Sequence, residues 1–161
     1  PDYALIGVYS PALLETVAQT LRLLGVKRAY VVHGSGLDEA AVHGTTELAE
    51  LKEDGTIERS TLTPADLGAK RLYSIEEIKG GAPADNALIT EAILAGKGTE
   101  AQQAFVAANL ALLLKIGDLA KSLPEAVELA RRTMASGKGL EVLNAHRAYA
   151  TSHTASSQKA A

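Results

Sequence analysis

The segment RAYVVHGSGLDE, residues 28–39, decides how this fold is interpreted. Its first part is an apolar run, which is typical of a buried parallel strand. The glycines at positions 34 and 36 follow, and then the adjacent carboxylates Asp38 and Glu39. The carboxyl edge of an open α/β sheet is where ligands bind, and Mg²⁺ takes one or two carboxylates together with water and substrate phosphates. The segment therefore predicts a magnesium-assisted site for a phosphorylated substrate.

Other interpretations of this loop stay open at the level of sequence. Asp38 and Glu39 also suit a helix cap and a first-turn acid. The Gly-Ser-Gly run at 34–36 lacks the third glycine of a dinucleotide fingerprint and the glycine spacing of a nucleophile elbow. It fits either backbone N–H groups that approach a phosphate or a tight turn after the strand.

Two histidines, His33 and His43, flank the loop. A zinc site built from both and an acid is conceivable, but their spacing matches no standard zinc pattern. A hydrogen-bonded structural role is favoured for each. Asn86 and Asn109 lie within predicted helices, where a capping or interhelical hydrogen bond is the expected role.

The region before the acidic loop reads as a βαβ unit. Residues 4–9 are short, apolar and β-rich, which predicts a strand. Ser10 is a candidate helix cap, Pro11 suits the first helical position, and Gly25 ends the helix. The strand at residues 28–32 should lie parallel to the first strand.

After the loop, two β-leaning runs at residues 46–52 and 56–62 flank an Asp-Gly pair, which predicts a hairpin. A break at Gly80-Gly81 and Pro83 ends this region. Four helices are predicted after it, at residues 85–94, 100–116, 122–137 and 140–149. The third begins with a capping box formed by Ser122 and Glu125. The predicted fold is α/β: a partial open, mostly parallel sheet with flanking helices and a C-terminal helical cluster. Residues 1–150 form this domain, and residues 151–161 are a disordered tail. So few strands suggest that the remaining strands come from residues not present here.

Composition bounds the class of protein. The 161 residues carry 16 basic and 19 acidic side chains and no cysteine, so there is no basic stripe for nucleic acid and no thiol site. The longest apolar stretch, residues 105–114, is half of what a bilayer span needs, about 20 residues. These features favour a cytoplasmic enzyme. The start at Pro1, directly before a strand, looks like the middle of a larger protein.

Several separated motifs resemble one family in the right order. They are LIGVYSP at 5–11, AYVVHG at 29–34, GLDE at 36–39, GGAP at 80–83 and AAN at 107–109. Together they resemble the C-terminal half of anthranilate phosphoribosyltransferase, from Pro1 to about Leu143.

This resemblance implies transfer of a phosphoribosyl group from phosphoribosyl pyrophosphate to anthranilate, giving phosphoribosylanthranilate and pyrophosphate in tryptophan biosynthesis. It implies a nucleoside phosphorylase/phosphoribosyltransferase-type α/β domain joined to a helical domain that forms a homodimer. It places the family's magnesium ligands on Asp38 and Glu39. The implied reaction is a displacement at the anomeric carbon with oxocarbenium character, without a catalytic nucleophile or acid–base pair on this chain.

The resemblance also implies that other parts of the site lie upstream of Pro1. These are the glycine-rich pyrophosphate loop, the substrate-contacting segment and an arginine associated with anthranilate. Substrate-binding residues are therefore not assigned here, and the chain alone is expected to be inactive or nearly so. Two alternatives remain: a pyrimidine nucleoside phosphorylase-like enzyme, and a non-catalytic nucleic-acid-binding paralogue on the same fold.

Overall fold

The computed structural model describes residues 1–158 and divides them into two compact units. The first unit comprises Pro1–Lys79 and Glu100–Arg131, and the second comprises Gly80–Thr99 and, among the described residues, 132–158. The strands are β1 (Tyr3–Gly7), β2 (Arg28–Gly34), β3 (Thr46–Leu51) and β4 (Ile57–Leu62). The helices are α1 (Leu14–Leu23), α2 (Ile75–Ile78), α3 (Pro83–Leu94), α4 (Glu100–Ile116), α5 (Leu123–Ala135) and α6 (Lys138–Gln158).

The four strands form one sheet in the order β1-β2-β3-β4. β1 and β2 are parallel, as the βαβ pattern predicts, and β3 and β4 form the predicted antiparallel hairpin. β2 and β3 are also antiparallel, so the sheet is mixed and the prediction of a mostly parallel sheet is wrong for these strands. The reason is the connection: a parallel neighbour needs a crossover of about a dozen residues or more, usually a helix, whereas residues 35–45 contain none.

Both faces of β2 are buried. Tyr30 and Val32 on one face lie in a core cluster with Ala104, Ala108 and Leu112 of α4. On the other face, Val31 packs in a cluster with α1. Because period-2 alternation sends neighbouring side chains to opposite faces, a strand covered on both sides must be apolar throughout. This explains the continuous apolar run that marks β2 in the sequence.

The helix starts show two differences from the predictions. Ser10 makes no side-chain cap hydrogen bond, and a 3-10 turn at Pro11–Leu13 lies between it and α1. The Ser122/Glu125 box is half formed: the Glu125 N–H donates to Ser122 Oγ at 3.3 Å, whereas Glu125 Oε2 accepts from the Lys121 N–H at 2.8 Å. The box motif therefore marks the correct helix start with a shifted partner.

The second unit contains α3 and α6, which are joined by an ion pair between Arg147 and Glu91. The last helix extends to Gln158, beyond its predicted end at residue 149. Residues 151–158 of the predicted disordered tail thus belong to α6, and residues 159–161 lie outside the described residues. Among the described helices, none is both long enough and apolar enough to cross a bilayer.

The short helix α2 was not predicted, although the Ser-x-x-Glu motif of residues 74–77 lies at its start. Ser74 and Glu77 form a complete capping box. Arg71 also donates to Glu77, with Nη2 at 2.6 Å from Oε1. This bond, followed by the Ser74 backbone N–H, lowers the pKa of Glu77 from its ordinary value of 4.5 to about 2.

We expect the Glu77 carboxyl to titrate near pH 2 when it is followed by carboxyl-carbon NMR. Its folded-state pKa lies below the unfolded value, so its contribution to stability is present above pH 4.5 and is lost as the pH falls toward 2. The substitution Arg71→Ala should raise the midpoint toward 4.5. As a control, Lys79→Ala removes the Glu76 ion pair on the same helix and should leave the Glu77 midpoint unchanged. A wild-type midpoint near 4.5 would contradict this assignment.

Candidate functional site

The acidic loop begins with a tight turn at the end of β2. The N–H of Gly34 donates to the Leu37 carbonyl at 2.9 Å, and the N–H of Leu37 donates back to Gly34 at 3.1 Å. Both central residues have positive φ, 49° at Ser35 and 98° at Gly36, as a two-residue hairpin turn requires. The tight-turn interpretation of the glycines is thus confirmed. Asp38 and Glu39 follow in an irregular loop and not in a helix, so their interpretation as helix-capping acids is wrong.

The backbone of this loop packs closely against two glycines, each the last residue of a strand. A Cβ on Gly7, the last residue of β1, would lie 1.4 Å from the Asp38 carbonyl oxygen. A Cβ on Gly34, the last residue of β2, would lie 2.2 Å from the Glu39 carbonyl oxygen. The loop backbone therefore rests directly on the carboxyl ends of the two parallel strands, which is the edge where α/β sheets bind ligands.

The other end of the loop is held by two polar side chains. The Ala40 N–H donates to Asn109 Oδ1 at 2.9 Å, and Asn109 Nδ2 donates to the Ala40 carbonyl at 3.1 Å. The next N–H, of Ala41, donates to Oγ1 of the fully buried Thr46 at 2.8 Å. Asn109 thus bonds to a loop and not to another helix, so its predicted capping or interhelical role is wrong.

The two histidines support the loop backbone. His33 is buried; its Nδ1–H donates to the Val8 carbonyl at 2.9 Å, and its Nε2 accepts the Gly36 N–H at 3.3 Å. His43 Nε2–H donates to the Ser35 carbonyl at 3.1 Å. Among the side chains that the structure describes, those of residues 1–152, no cluster of three or more His, Cys, Asp or Glu is placed to hold a metal ion. The hydrogen bonds of the two rings to backbone groups are of the kind predicted for structural histidines.

The carboxylates of the loop face outward. Asp38 and Glu39 are both exposed, but Glu39 also edges an apolar pocket of about 380 Å³ on α4, lined by Phe105, Val106, Asn109, Leu110 and Leu113. Partial burial there raises the pKa of Glu39 above its ordinary value, and the charge of Asp38 raises it further.

This donor set fits Mg²⁺. Two neighbouring carboxylates repel each other, and a cation between them would relieve that repulsion. Mg²⁺ is commonly bound through one or two carboxylates while water and phosphate oxygens complete its octahedron. Exposed side chains on a firmly held backbone meet that requirement, because the remaining ligands must come from solvent and substrate.

A second cavity, of about 420 Å³, lies elsewhere in the first unit. Its lining residues are Leu62, Ala65, Asp66, Gly68, Leu123, Pro124 and Val127. The one carboxylate among them, that of Asp66, accepts from the Thr63 N–H at 2.8 Å and from the Thr63 hydroxyl at 2.7 Å. These two bonds lower the pKa of Asp66 and hold its carboxylate against the turn that begins at Thr63. The acidic loop is therefore the better candidate site.

An open sheet with a helix on each face and an acidic loop at its carboxyl edge defines an α/β domain with a candidate ligand site at that edge. Comparison with known families makes the class specific: the description "glycosyl transferase family, a/b domain" matches residues 1–140. The chain belongs to this family.

Its relatives include several anthranilate phosphoribosyltransferases. The chain is 55% identical to the one from Tolumonas auensis over 88% of its own length, and 53% identical to that of Colwellia psychrerythraea over 89%. It covers 41% and 39% of those two proteins. The chain thus spans about two-fifths of the length of the curated relatives it matches.

Solved structures of similar proteins agree with this assignment. The anthranilate phosphoribosyltransferase of Thermus thermophilus superposes with a TM-score of 0.80 at 33% identity, over 89% of this chain and 41% of that one. The enzyme of Saccharomyces cerevisiae in complex with PRPP and Mg superposes with a TM-score of 0.77 at 25% identity, over 88% and 41%. The α/β fold class predicted from the sequence is confirmed.

Proposed function

We propose that this chain is the part of an anthranilate phosphoribosyltransferase that carries the metal-binding loop. The complete protein would transfer the phosphoribosyl group of phosphoribosyl pyrophosphate to the amino group of anthranilate and release pyrophosphate, a step of tryptophan biosynthesis. The observation that carries the proposal is the 55% identity to the Tolumonas auensis enzyme over 88% of the chain. The placement of an acid pair at the carboxyl edge of the sheet supports it chemically.

In this proposal Asp38 and Glu39 hold Mg²⁺. Bound Mg²⁺ would stabilise negative charge on the pyrophosphate as it leaves the anomeric carbon. The carboxylates bind and orient, while the glycine contacts and the Asn109 bonds keep the loop backbone in place. A displacement with oxocarbenium character needs mainly charge stabilisation and positioning, and we assign no catalytic nucleophile or acid–base group to this chain.

The rest of the proposed site lies outside this chain. We expect residues beyond it to contact phosphoribosyl pyrophosphate and anthranilate, and a helical domain to join two subunits as a homodimer in the cytoplasm. On this basis the 161-residue chain has little or no activity by itself. The proposal includes neither a nucleic-acid partner nor a membrane partner.

The test is a chimera in which residues 1–143 replace the matching segment of the Tolumonas auensis relative. We expect the chimera to consume anthranilate only when phosphoribosyl pyrophosphate and Mg²⁺ are present, as measured by the loss of anthranilate fluorescence. The 161-residue chain alone should consume anthranilate at least about 1000-fold more slowly. This difference in rate corresponds to about 4 kcal/mol of transition-state stabilisation. A folded chimera without this activity would overturn the proposal. Phosphate-dependent cleavage of a pyrimidine nucleoside would then favour a phosphorylase, and salt-dependent binding of DNA would favour the paralogue.

A further inference from the structure

We propose that Asn109 is the positioning residue of the acidic loop, and that its amide sets where Asp38 and Glu39 hold a divalent cation. The inference rests on the proposed function, since it concerns the same site. It makes Asn109 a residue that acts through Ala40 and does not itself contact the metal or the substrate.

The hydrogen bonds of Asn109 specify its orientation. Oδ1 accepts from the Ala40 N–H, and Nδ2 donates both to the Ala40 carbonyl and to the Phe105 carbonyl, the latter at 3.0 Å. The amide thus uses both of its N–H donors and one acceptor position. A flipped amide would turn its oxygen toward two carbonyl oxygens, so the observed orientation is the one in which every contact pairs a donor with an acceptor.

The anchor on the other side of these bonds is rigid. Asn109 lies in the middle of α4, whose neighbouring residues Ala108 and Leu112 are almost fully buried in the core. Ala40 is itself fully buried and directly follows Glu39 in the chain. A bidentate bond to Ala40 therefore ties the acid pair to the helix that packs on the sheet.

The opposite side of the loop is closed by the strands. The Asp38 and Glu39 backbones lie against Gly7 and Gly34 without room for a Cβ. The acid pair is thus held between the strand ends and α4. Release of the α4 side would leave a loop that still folds but whose backbone no longer fixes the positions of the two carboxylates.

A second asparagine supplies a matched control. In the other unit, Asn86 makes the same pair of bonds to a backbone residue: its Oδ1 accepts from the Gly81 N–H at 2.8 Å, and its Nδ2 donates to the Gly81 carbonyl at 3.1 Å. The substitution Asn86→Ala therefore removes an equivalent clamp away from the acidic loop.

The experiment uses the 161-residue chain, with Mn²⁺ as the paramagnetic probe and amide NMR as the readout. We expect Mn²⁺ to broaden the amides of Asp38, Glu39 and Ala40 first. Asn109→Ala and Asn109→Asp should each weaken this binding about tenfold, the lower end of the effect of residues that orient metal ligands. Asn86→Ala should leave it unchanged, and the conservative variant Asn109→Gln should recover part of it.

The outcomes separate the two proposals. Equal Mn²⁺ affinity in wild type and both Asn109 variants would overturn the positioning role while leaving the metal site intact. Loss of the folded state in both variants would also overturn it, in favour of a purely structural role. Failure of Mn²⁺ to reach the loop in any variant would overturn the metal site, and with it the positioning role. In the active chimera, we expect Asn109→Ala to raise the Mg²⁺ concentration for half-maximal rate about tenfold while saturating Mg²⁺ restores most of kcat.

Discussion

Replacing both loop acids, Asp38→Asn with Glu39→Gln, is expected to lower kcat/KM for phosphoribosyl pyrophosphate in the chimera about 100-fold. That loss corresponds to about 2.7 kcal/mol of transition-state stabilisation, a reasonable share of what a metal at a departing pyrophosphate supplies. The neutral amides keep the size of the side chains but bind Mg²⁺ weakly. A Mg²⁺ titration of the steady-state rate should accordingly show a much higher half-saturation point.

The chain offers a control with the same change in charge. Glu53 and Asp54 are a second pair of adjacent acids, located in the turn between β3 and β4. The double variant Glu53→Gln with Asp54→Asn should leave kcat/KM and the Mg²⁺ titration within about twofold of wild type, because surface charges remote from the site are screened. If the loop variant matched this control in both measurements, the role assigned to Asp38 and Glu39 would be wrong.

The substitution Gly7→Ala is expected to lower the free energy of unfolding of the chain by about 3 kcal/mol, the upper part of the range for overpacked sites. Its added Cβ would lie 1.4 Å from the carbonyl oxygen and 2.3 Å from the carbonyl carbon of Asp38. Both atoms belong to the backbone, so no side-chain rotation can relieve the clash and the loop must move. Urea denaturation followed by circular dichroism measures the loss, and Mn²⁺ affinity should fall with it.

Gly117→Ala is the matched control for this substitution. At Gly117 the nearest atom to an added Cβ is the Leu113 carbonyl oxygen, at 3.3 Å, and φ lies outside the left-handed region. Its unfolding free energy should therefore change by less than about 1 kcal/mol. Identical urea midpoints for Gly7→Ala and wild type would show that the loop does not pack on β1 as described.

The positions of most strands and helices could be predicted from the sequence, because each depends on residues close together in the chain. The βαβ unit follows from two short apolar runs with Pro11 and Gly25 at the ends of the helix between them. The hairpin follows from the Asp-Gly turn, where Gly55 has a φ of +83°. The span of α4 was predicted as it is found, because residues 100–116 are apolar on most faces, as in a helix buried in the interior. The position of the acid pair at the carboxyl edge was also predicted, because residues that directly follow a strand lie at its carboxyl end.

The errors share a different cause. Strand direction between β2 and β3 depends on whether residues 35–45 contain a crossover helix. They form a loop without one, and β3 returns antiparallel to β2. Ser10 has the residue type of a cap, but its side chain makes no cap hydrogen bond, and the element that follows it directly is a 3-10 turn and not α1. Asn109 was assigned by its position in a helix, whereas its partner Ala40 lies 69 positions away in the sequence.

Sequence alone was therefore enough to assign the α/β class, to place Asp38 and Glu39 after a buried strand, and to connect the chain with a family. These three assignments depend on residue type and on the spacing of nearby residues, and both are local properties of the sequence. The tertiary structure decided what holds the acids in place: Gly7 and Gly34 beneath the loop and Asn109 beside it. Those contacts join residues that are remote in sequence, and the residue type of a glycine or an asparagine does not show whether a distant loop packs against it.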